Sequence, residues 1–216
     1  MILERSQYGS LSAFLDAYQE IRPEIKISLS AGVTSGLLAL HQAGFVHGDV
    51  KTDNVLVFPL KAQAENYVAK LTDFGSIVPL ERVRHGSSVR YRGTTITNAP
   101  EVSEQSSFGQ LDDEGLKKCD AYSLGLLLLG VAAGELQPDV LAKDKSVLRC
   151  ALSHLARAGS RGCLGDYQSL FERITELLLK YEPSERCSNL SAVENLLRSF
   201  DITSSWYVLG LLYCKG

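Results

Sequence analysis

Leu11, Phe14, Leu15 and Tyr18 fall on one face of a short amphipathic helix, with Ser10 placed to act as its N-cap. Pro23 opens a longer helix, in which Ile25, Leu29, Val33, Leu37 and Leu40 keep near-helical spacing for about four turns before Gly44 supplies a stop. The period then changes. Val55 to Phe58 and Tyr67 to Leu71 read as short strands, joined into a hairpin by the polar KAQAEN segment. Residues 73–101 hold no sustained period and carry Arg82, Arg84, Arg90 and Arg92 among three glycines and several Ser and Thr, which predicts one long loop of the kind that is usually functional or disordered. Helical spacing returns at 119–134, 145–157, 167–181 and 190–200, with the clearest apolar face on Leu170, Ile174, Leu177 and Leu178. The fold class expected is mainly α with a small β-hairpin region, an α+β arrangement whose C-terminal two-thirds is mostly helical.

The longest apolar run, Leu124 to Ala133, has ten residues, against roughly 20 needed to cross a bilayer. It predicts a buried helix and no membrane span. A length of 216 residues suits one domain or at most two. With 45% hydrophobic and 22% charged residues the chain can bury a core, which excludes a disordered or collagen-like class. Twenty-two Lys and Arg against 25 Asp and Glu leave a net charge of −3, too mild to draw a nucleic-acid partner by bulk electrostatics. The five cysteines are odd in number, scattered and without a C-x-x-C pair, so they read as intracellular thiols, not as a disulfide framework or zinc site. Glu4 and Arg5 stand where a signal peptide needs apolar residues, and an intracellular location is expected, cytoplasmic or nuclear.

The residues that carry chemistry are HGDVKTDN at 47–54, after a helix and before a strand, followed nineteen residues later by Asp73-Phe74-Gly75. Taken alone, His-Gly-Asp is equally a turn with a capping Asp, and the Phe of a lone DFG is an ordinary core residue. Their order changes the reading. Gly93-Thr94 leads to Ala99-Pro100-Glu101, then Asp120-Ala121-Tyr122-Ser123-Leu124-Gly125 opens the apolar helix, and Glu182-Pro183-Ser184-Glu185-Arg186 follows.

Together these five motifs resemble the catalytic half of the eukaryotic protein kinase family, over about residues 1 to 200. Lys two residues after the Asp, with Gly-Thr ahead of Ala-Pro-Glu, is similar to the serine/threonine branch. The resemblance implies an ATP- and Mg²⁺-dependent enzyme acting on protein hydroxyls. It implies that Asp49 orients and deprotonates the substrate hydroxyl, that Lys51 lies on the γ-phosphate, that Thr94 fixes both, and that Asn54 and Asp73 hold the metal. Leu56 would pack under the adenine ring, and the backbone from Glu4 to Ser6 would be the hinge that binds the adenine edge. Glu101 and Arg186 would form a buried ion pair, Asp120 would cap its helix and hold the catalytic loop, and His47 would stack with Phe74 in a hydrophobic spine.

Several features depart from the family. The chain starts at the expected hinge, so the resemblance implies a C-terminal lobe alone, hinge included, with the N-terminal lobe and its phosphate-clamping glycine loop and strand lysine missing. Losing that clamp would remove much of the positioning, worth up to ~7–11 kcal/mol. Three accounts stand: a shortened form of an active kinase, which is favoured; a remnant lobe; or a chain that borrows the missing lobe from a partner. Two rival functions also stand. One is a pseudokinase or scaffold without catalysis. The other is a small-molecule phosphotransferase of the aminoglycoside or choline kinase type, which shares His-Gly-Asp and the later Asn but not Ala-Pro-Glu or the later Arg. The tail 201–216, with Trp206, Tyr207, Leu209 and Leu211, falls outside the resemblance and is unusually apolar for a chain end. Thr97 stands where an aromatic residue is usual. The basic cluster around Ser87 and Ser88 reads first as a solvated loop, second as a contact for phosphate or acidic substrate.

Gly48 stands where most regulated kinases carry an Arg that pairs with a phosphate on the activation loop. Activity is therefore expected not to depend on loop phosphorylation by that route. Phosphatase treatment should leave the initial rate unchanged, and a strong loss would count against this expectation.

Overall fold

The computed structural model describes residues 5–18, 20–60, 66–85, 91–103, 111–134, 136, 138–141 and 143–200. Helix α1 (Leu11–Ala17) starts at Ser10, whose hydroxyl accepts the Ala13 N–H. Helix α2 (Pro23–Gln42) begins on Pro23, where a missing N–H costs nothing, and ends before Gly44 in the left-handed region at φ 83°. Strand β1 (Phe45–Val46) leads into the loop 47–54. β2 (Val55–Pro59) then pairs antiparallel with β3 (Tyr67–Leu71), in the register Val55 to Leu71 and Pro59 to Tyr67. These are the helices and the hairpin that the apolar spacing predicts.

The stretch expected to be one long loop is more ordered than that. Strand β4 (Val78–Pro79) pairs with β1, and helix α3 (Leu80–Arg84) follows at once, with Leu80 buried and Arg84 bonded to Asp113 at 2.5 Å. Two-residue strands and a five-residue helix are too short to leave a period in the sequence, and their partners lie far along the chain. Helix α4 (Pro100–Ser103) carries Glu101.

Helix α5 (Asp113–Ala133) is the axis of the molecule. Its N-cap is Asp112, whose carboxylate accepts the Gly115 N–H at 2.7 Å, and Asp113 and Glu114 complement the positive end of the helix dipole. The expectation that Asp120 caps this helix is therefore wrong: the helix begins about two turns earlier, on a polar stretch that the apolar run from Ala121 obscures. From Leu116 to Val131 the side chains are buried on nearly every face, as a helix enclosed by others requires. Gly125 lets the next layer close on it, because a Cβ there would lie 2.8 Å from Leu179 Cδ2. At the far end the Lys26 ammonium donates to Ala132 O at 2.8 Å and Cys163 O at 3.1 Å, satisfying a carbonyl in the last turn. Burial lowers the Lys26 pKa, and the neighbouring Cys163 opposes this.

A short helix α6 (Pro138–Leu141), then α7 (Val147–Ser160), α8 (Gln168–Leu178) and α9 (Leu190–Phe200) complete the helical layer. α5 packs on α2, α7 and α8, while α2 lies between the β2–β3 hairpin and α9. The apolar tail 201–216 lies outside the described residues, as do Arg90, Ser87 and Ser88 of the basic cluster. No helix among the described residues is long and apolar enough to cross a membrane.

Arg186 and Glu101 join α4 to the helical layer with both side chains fully buried. Nη1 meets Oε1 at 2.5 Å and Nη2 meets Oε2 at 3.2 Å. The other guanidinium donors reach the carbonyls of Lys118, Lys180 and Tyr181, and the Tyr122 ring lies 4.9 Å away. Such a pair is held by its geometry, since each charge alone would be stranded without water. Arg186→Leu alone should lower unfolding stability by about 3–5 kcal/mol, and Glu101→Leu with Arg186→Leu by less than either single change. Urea unfolding at constant m-value checks both.

Candidate active site

The loop 47–54 is shaped by one buried carboxylate. Asp120 Oδ2 accepts the His47 N–H at 2.8 Å and faces His41 Nε2 at 2.9 Å, while Oδ1 accepts the Gly48 N–H at 3.0 Å and the Tyr91 hydroxyl at 2.8 Å. Two donors on each oxygen satisfy a charge with no solvent exposure. Burial, then the negative charge of Asp120, push the Tyr91 pKa well above its ordinary value, so Tyr91 remains a donor. His41 and Tyr91 escape sequence reading, since neither stands in a motif. The only signal for His41 is a polar residue one turn after Leu37 on the buried face of α2.

Gly48 sits at φ 79°, and a Cβ there would lie 2.3 Å from Ser76 O. The turn after Asp73 therefore closes directly on the loop backbone, which a side chain at 48 would prevent. His47 is fully buried. Its Nδ1 accepts the Asp49 N–H at 3.3 Å, which leaves Nε2 to donate to Thr72 O at 3.0 Å. Thr72 N in turn donates to Asn54 O at 3.0 Å. Residues on both sides of Asp73 are thus pinned to the 47–54 loop.

Around Asp49 three side chains converge. Thr94 Oγ1 donates to Asp49 Oδ1 at 2.7 Å and accepts from Lys51 Nζ at 2.7 Å. Lys51 Nζ lies 2.9 Å from Asp49 Oδ2. Asn54 Nδ2 donates to both the Asp49 carbonyl and Oδ2 at 2.9 Å. Both amide hydrogens face Asp49, so Asn54 Oδ1 is left as a hard oxygen donor. Burial raises the Asp49 pKa, but hydrogen bonds from Thr94 and Lys51, the Lys51 charge and the Asn54 amide outweigh it and hold the carboxyl below its ordinary value. Asp73 is exposed, in the left-handed region at φ 59°, with Oδ1 accepting the Gly75 N–H at 3.2 Å. Asp and Asn tolerate that conformation better than most residues.

The remaining sequence-predicted residues fall as follows. Leu56 lies half-buried on β2 opposite Lys70 and bridges to Ser10. The Ser6 hydroxyl donates to Val57 O at 2.5 Å, and Val57 N donates to Gly9 O at 3.1 Å, so residues 6–10 run along β2 beside Leu56. Glu4 lies outside the described residues. Phe74 meets the His47 ring at 5.6 Å but keeps 52% of its surface exposed, so the buried spine expected of it is not formed on its outer side. Thr97, in place of an aromatic residue, donates to Thr94 O at 3.3 Å, and its carbonyl accepts from Ser123 at 2.8 Å, so the loop closes through hydrogen bonds.

Residues 1–198 match the family model described as protein kinase domain. Serine/threonine-protein kinase Tao of Drosophila melanogaster is 32% identical over 183 residues, 84% of this chain and 16% of that protein. Probable serine/threonine-protein kinase iksA of Dictyostelium discoideum is 28% identical over 149 residues, 63% of this chain and 15% of that protein. Mitogen-activated protein kinase kinase kinase 13 of Homo sapiens is 29% identical over 136 residues, 63% of this chain and 12% of that protein. The chain thus spans about a sixth or less of the length of these relatives. The family match corrects the expectation of a mainly α C-terminal lobe with its N-terminal lobe missing. The description applies from residue 1 to residue 198 as a protein kinase domain, and takes in the strand-bearing stretch 45–79 together with the helices. That expectation rested on short motifs not found, which weigh less than a match along 198 residues. The account in which a partner supplies the missing lobe falls with it.

Replacing Thr94 by Val removes the hydroxyl between Asp49 and Lys51. The Asp49 pKa should rise toward the ordinary carboxylate value. Because a carboxylate with a depressed folded pKa stabilises above its unfolded pKa and loses that contribution as pH falls through the folded one, the Val variant should lose it at higher pH than the parent. Carboxyl ¹³C titration of Asp49 reads the shift directly.

Proposed function

The chain belongs to the protein kinase domain family, and from that premise we propose that it transfers the γ-phosphoryl of ATP to serine and threonine hydroxyls of a protein substrate, with Mg²⁺ as cofactor. The observation that carries this reading is the convergence of Asp49, Lys51, Thr94 and Asn54 in one hydrogen-bonded cluster, with the segment around Asp73 pinned beside it. The buried Glu101–Arg186 pair favours a protein over a small-molecule acceptor, because those two motifs are what the small-molecule phosphotransferases lack.

Asp49 would receive the substrate hydroxyl. Its depressed pKa makes it a weak base, which suits a loose transition state in which the proton leaves late and orientation matters more than early deprotonation. Lys51 would place its charge against the γ-phosphate while Thr94 holds it to Asp49. Asn54 Oδ1 and the Asp73 carboxylate are hard oxygen donors that fit Mg²⁺, an ion that keeps waters and phosphate oxygens as its other ligands. Bound Mg²⁺ neutralises charge on the phosphate oxygens. Leu56 and the backbone around Glu4 to Ser6 would border the adenine.

Asp49→Asn should lower kcat for a serine peptide by about 10²–10⁴-fold with little change in the KM for ATP. ATP with Mg²⁺ at 100 times its Kd should stabilise the chain by about 2.7 kcal/mol, read as a rise in Tm. Asp73→Asn should remove the Mg²⁺-dependent part of that rise. No phosphoryl transfer together with no Tm shift would replace the enzyme reading with a non-catalytic scaffold.

A further inference from the structure

Residues 91–98 form a turn that is tied to itself. Gly93 sits at φ 41°, and a Cβ there would lie 1.9 Å from Asn98 Oδ1 and 3.0 Å from Tyr91 Cε1. Thr97 N and Asn98 N both donate to Thr94 O, at 3.0 and 2.9 Å, and Asn98 Nδ2 donates to Arg92 O at 3.3 Å. Thr94, whose hydroxyl bridges Asp49 and Lys51, is thus fixed within the turn. Where the turn sits against α5 then decides whether that bridge forms.

The turn meets α5 at Asp120 and, one turn of helix later, at Ser123, whose Oγ donates to Thr97 O at 2.8 Å. At Asp120 the acceptor is a carboxylate, which makes the stronger bond of the two. The Tyr91 ring is buried, and its hydroxyl donates to Asp120 Oδ1 at 2.8 Å, the same oxygen that accepts the Gly48 N–H at 3.0 Å. A closed circuit results: from Asp120 to Gly48, on to Asp49, across to Thr94, back through Gly93 to Tyr91, and so to Asp120. No side chain at position 48 can make this link, since a Cβ there would lie 2.3 Å from Ser76 O. Burial and then the Asp120 charge push the Tyr91 pKa well above its ordinary value, so the hydroxyl keeps its proton and the bond persists at neutral pH.

Resting on the protein-kinase reading above, we propose that Tyr91 is a positioning residue for the phosphoryl transfer: by seating the 91–98 turn on Asp120, its hydroxyl holds Thr94 against Asp49 and Lys51 with no phosphate on the chain ahead of the turn. The tie is a neutral donor buried between α5 and the turn, where a phosphatase has nothing to remove and salt screens little. The arrangement around Asp49 is then set when the chain folds, not by a later modification.

Tyr91→Phe keeps the ring and removes the hydroxyl. Assayed with the full chain, a serine peptide, ATP and Mg²⁺, it should lower kcat by about ten- to a hundredfold and leave the KM for ATP in place. On a Thr94→Val background the same change should cost less than about threefold, because Tyr91 acts through Thr94. Equal losses on both backgrounds mark a general structural defect and overturn the proposal, as does an unchanged kcat. Phosphatase treatment should leave both the parent's rate and the parent-to-variant ratio as they were, and loss of the parent's rate overturns the proposal too. If the parent phosphorylates no peptide, the kinase reading fails, and amide hydrogen exchange still decides whether Tyr91 holds Thr94. The Thr97 and Asn98 N–H groups should exchange roughly tenfold faster or more in Tyr91→Phe, with the amides of α7 and α9 unchanged. In the parent alone, those two N–H groups and that of Gly48 should open in one step with a single urea dependence, a result that does not require the variant to fold. Unlinked exchange of the three overturns the proposal.

Discussion

The structure depends on satisfying the Asp120 carboxylate in a place with no solvent exposure. Four donors meet it: a histidine at the end of α2, two backbone N–H groups at the start of the 47–54 loop, and the Tyr91 hydroxyl from the segment before α4. These come from three separate stretches of chain, and none is a neighbour of Asp120 in sequence. An unpaired carboxylate there would carry a large desolvation penalty, so the three stretches are coupled: each can be in place only if the carboxylate is, and the carboxylate only if most of them are. The 47–54 loop thereby inherits the rigidity of α5, and the side chains after Gly48 leave a fixed backbone.

The Glu101–Arg186 pair plays a second, separable part. It sits against α5, where Arg186 also donates to the carbonyls of Lys118, Lys180 and Tyr181. The Cys119 thiol donates to Glu101, and burial followed by the Glu101 charge pushes the thiol pKa far up, so Cys119 acts as a weak donor and not as a nucleophile. Asp120 fixes where the loop begins, and Arg186 fixes where the segment from Asp73 to Glu101 ends. Thr94, seven residues before Glu101, is held between these two anchors, which is how one hydroxyl can bridge Asp49 and Lys51 at 2.7 Å on each side.

Much of this is legible in the residues, for identifiable reasons. The helices at 23–42 and 190–200 and the hairpin at 55–71 follow from apolar period, because each buries one face along its whole length. Asp49, Lys51 and Asn54 stand within six residues, so their proximity is a property of the chain, whereas the link to Thr94, some 40 residues on, comes only from resemblance to a family. What is not legible is contact without period or motif. Tyr91 and His41 gain their roles from Asp120 alone, β4 from β1 alone, and the early start of α5 from an acidic cap ahead of a polar turn. The protein-kinase-domain assignment across residues 1–198 is likewise a property of the whole span, which no single motif carries.

Asp120 and Gly130 are ten residues apart on one helix, which at 1.5 Å per residue is roughly 15 Å. The first holds the start of the 47–54 loop, and the second borders an open cavity that Lys51 also lines. A buried helix of this length bends little, so the distance between the fixed loop and the open cavity is set by helix geometry and not by loop conformation. Gly125, midway between them, is filled by Leu178 and Leu179 and locks the helix to the layer behind it. The same run of leucines that reads in sequence only as a buried core element thus acts as a ruler. One end anchors the 47–54 loop, and the middle anchors the core.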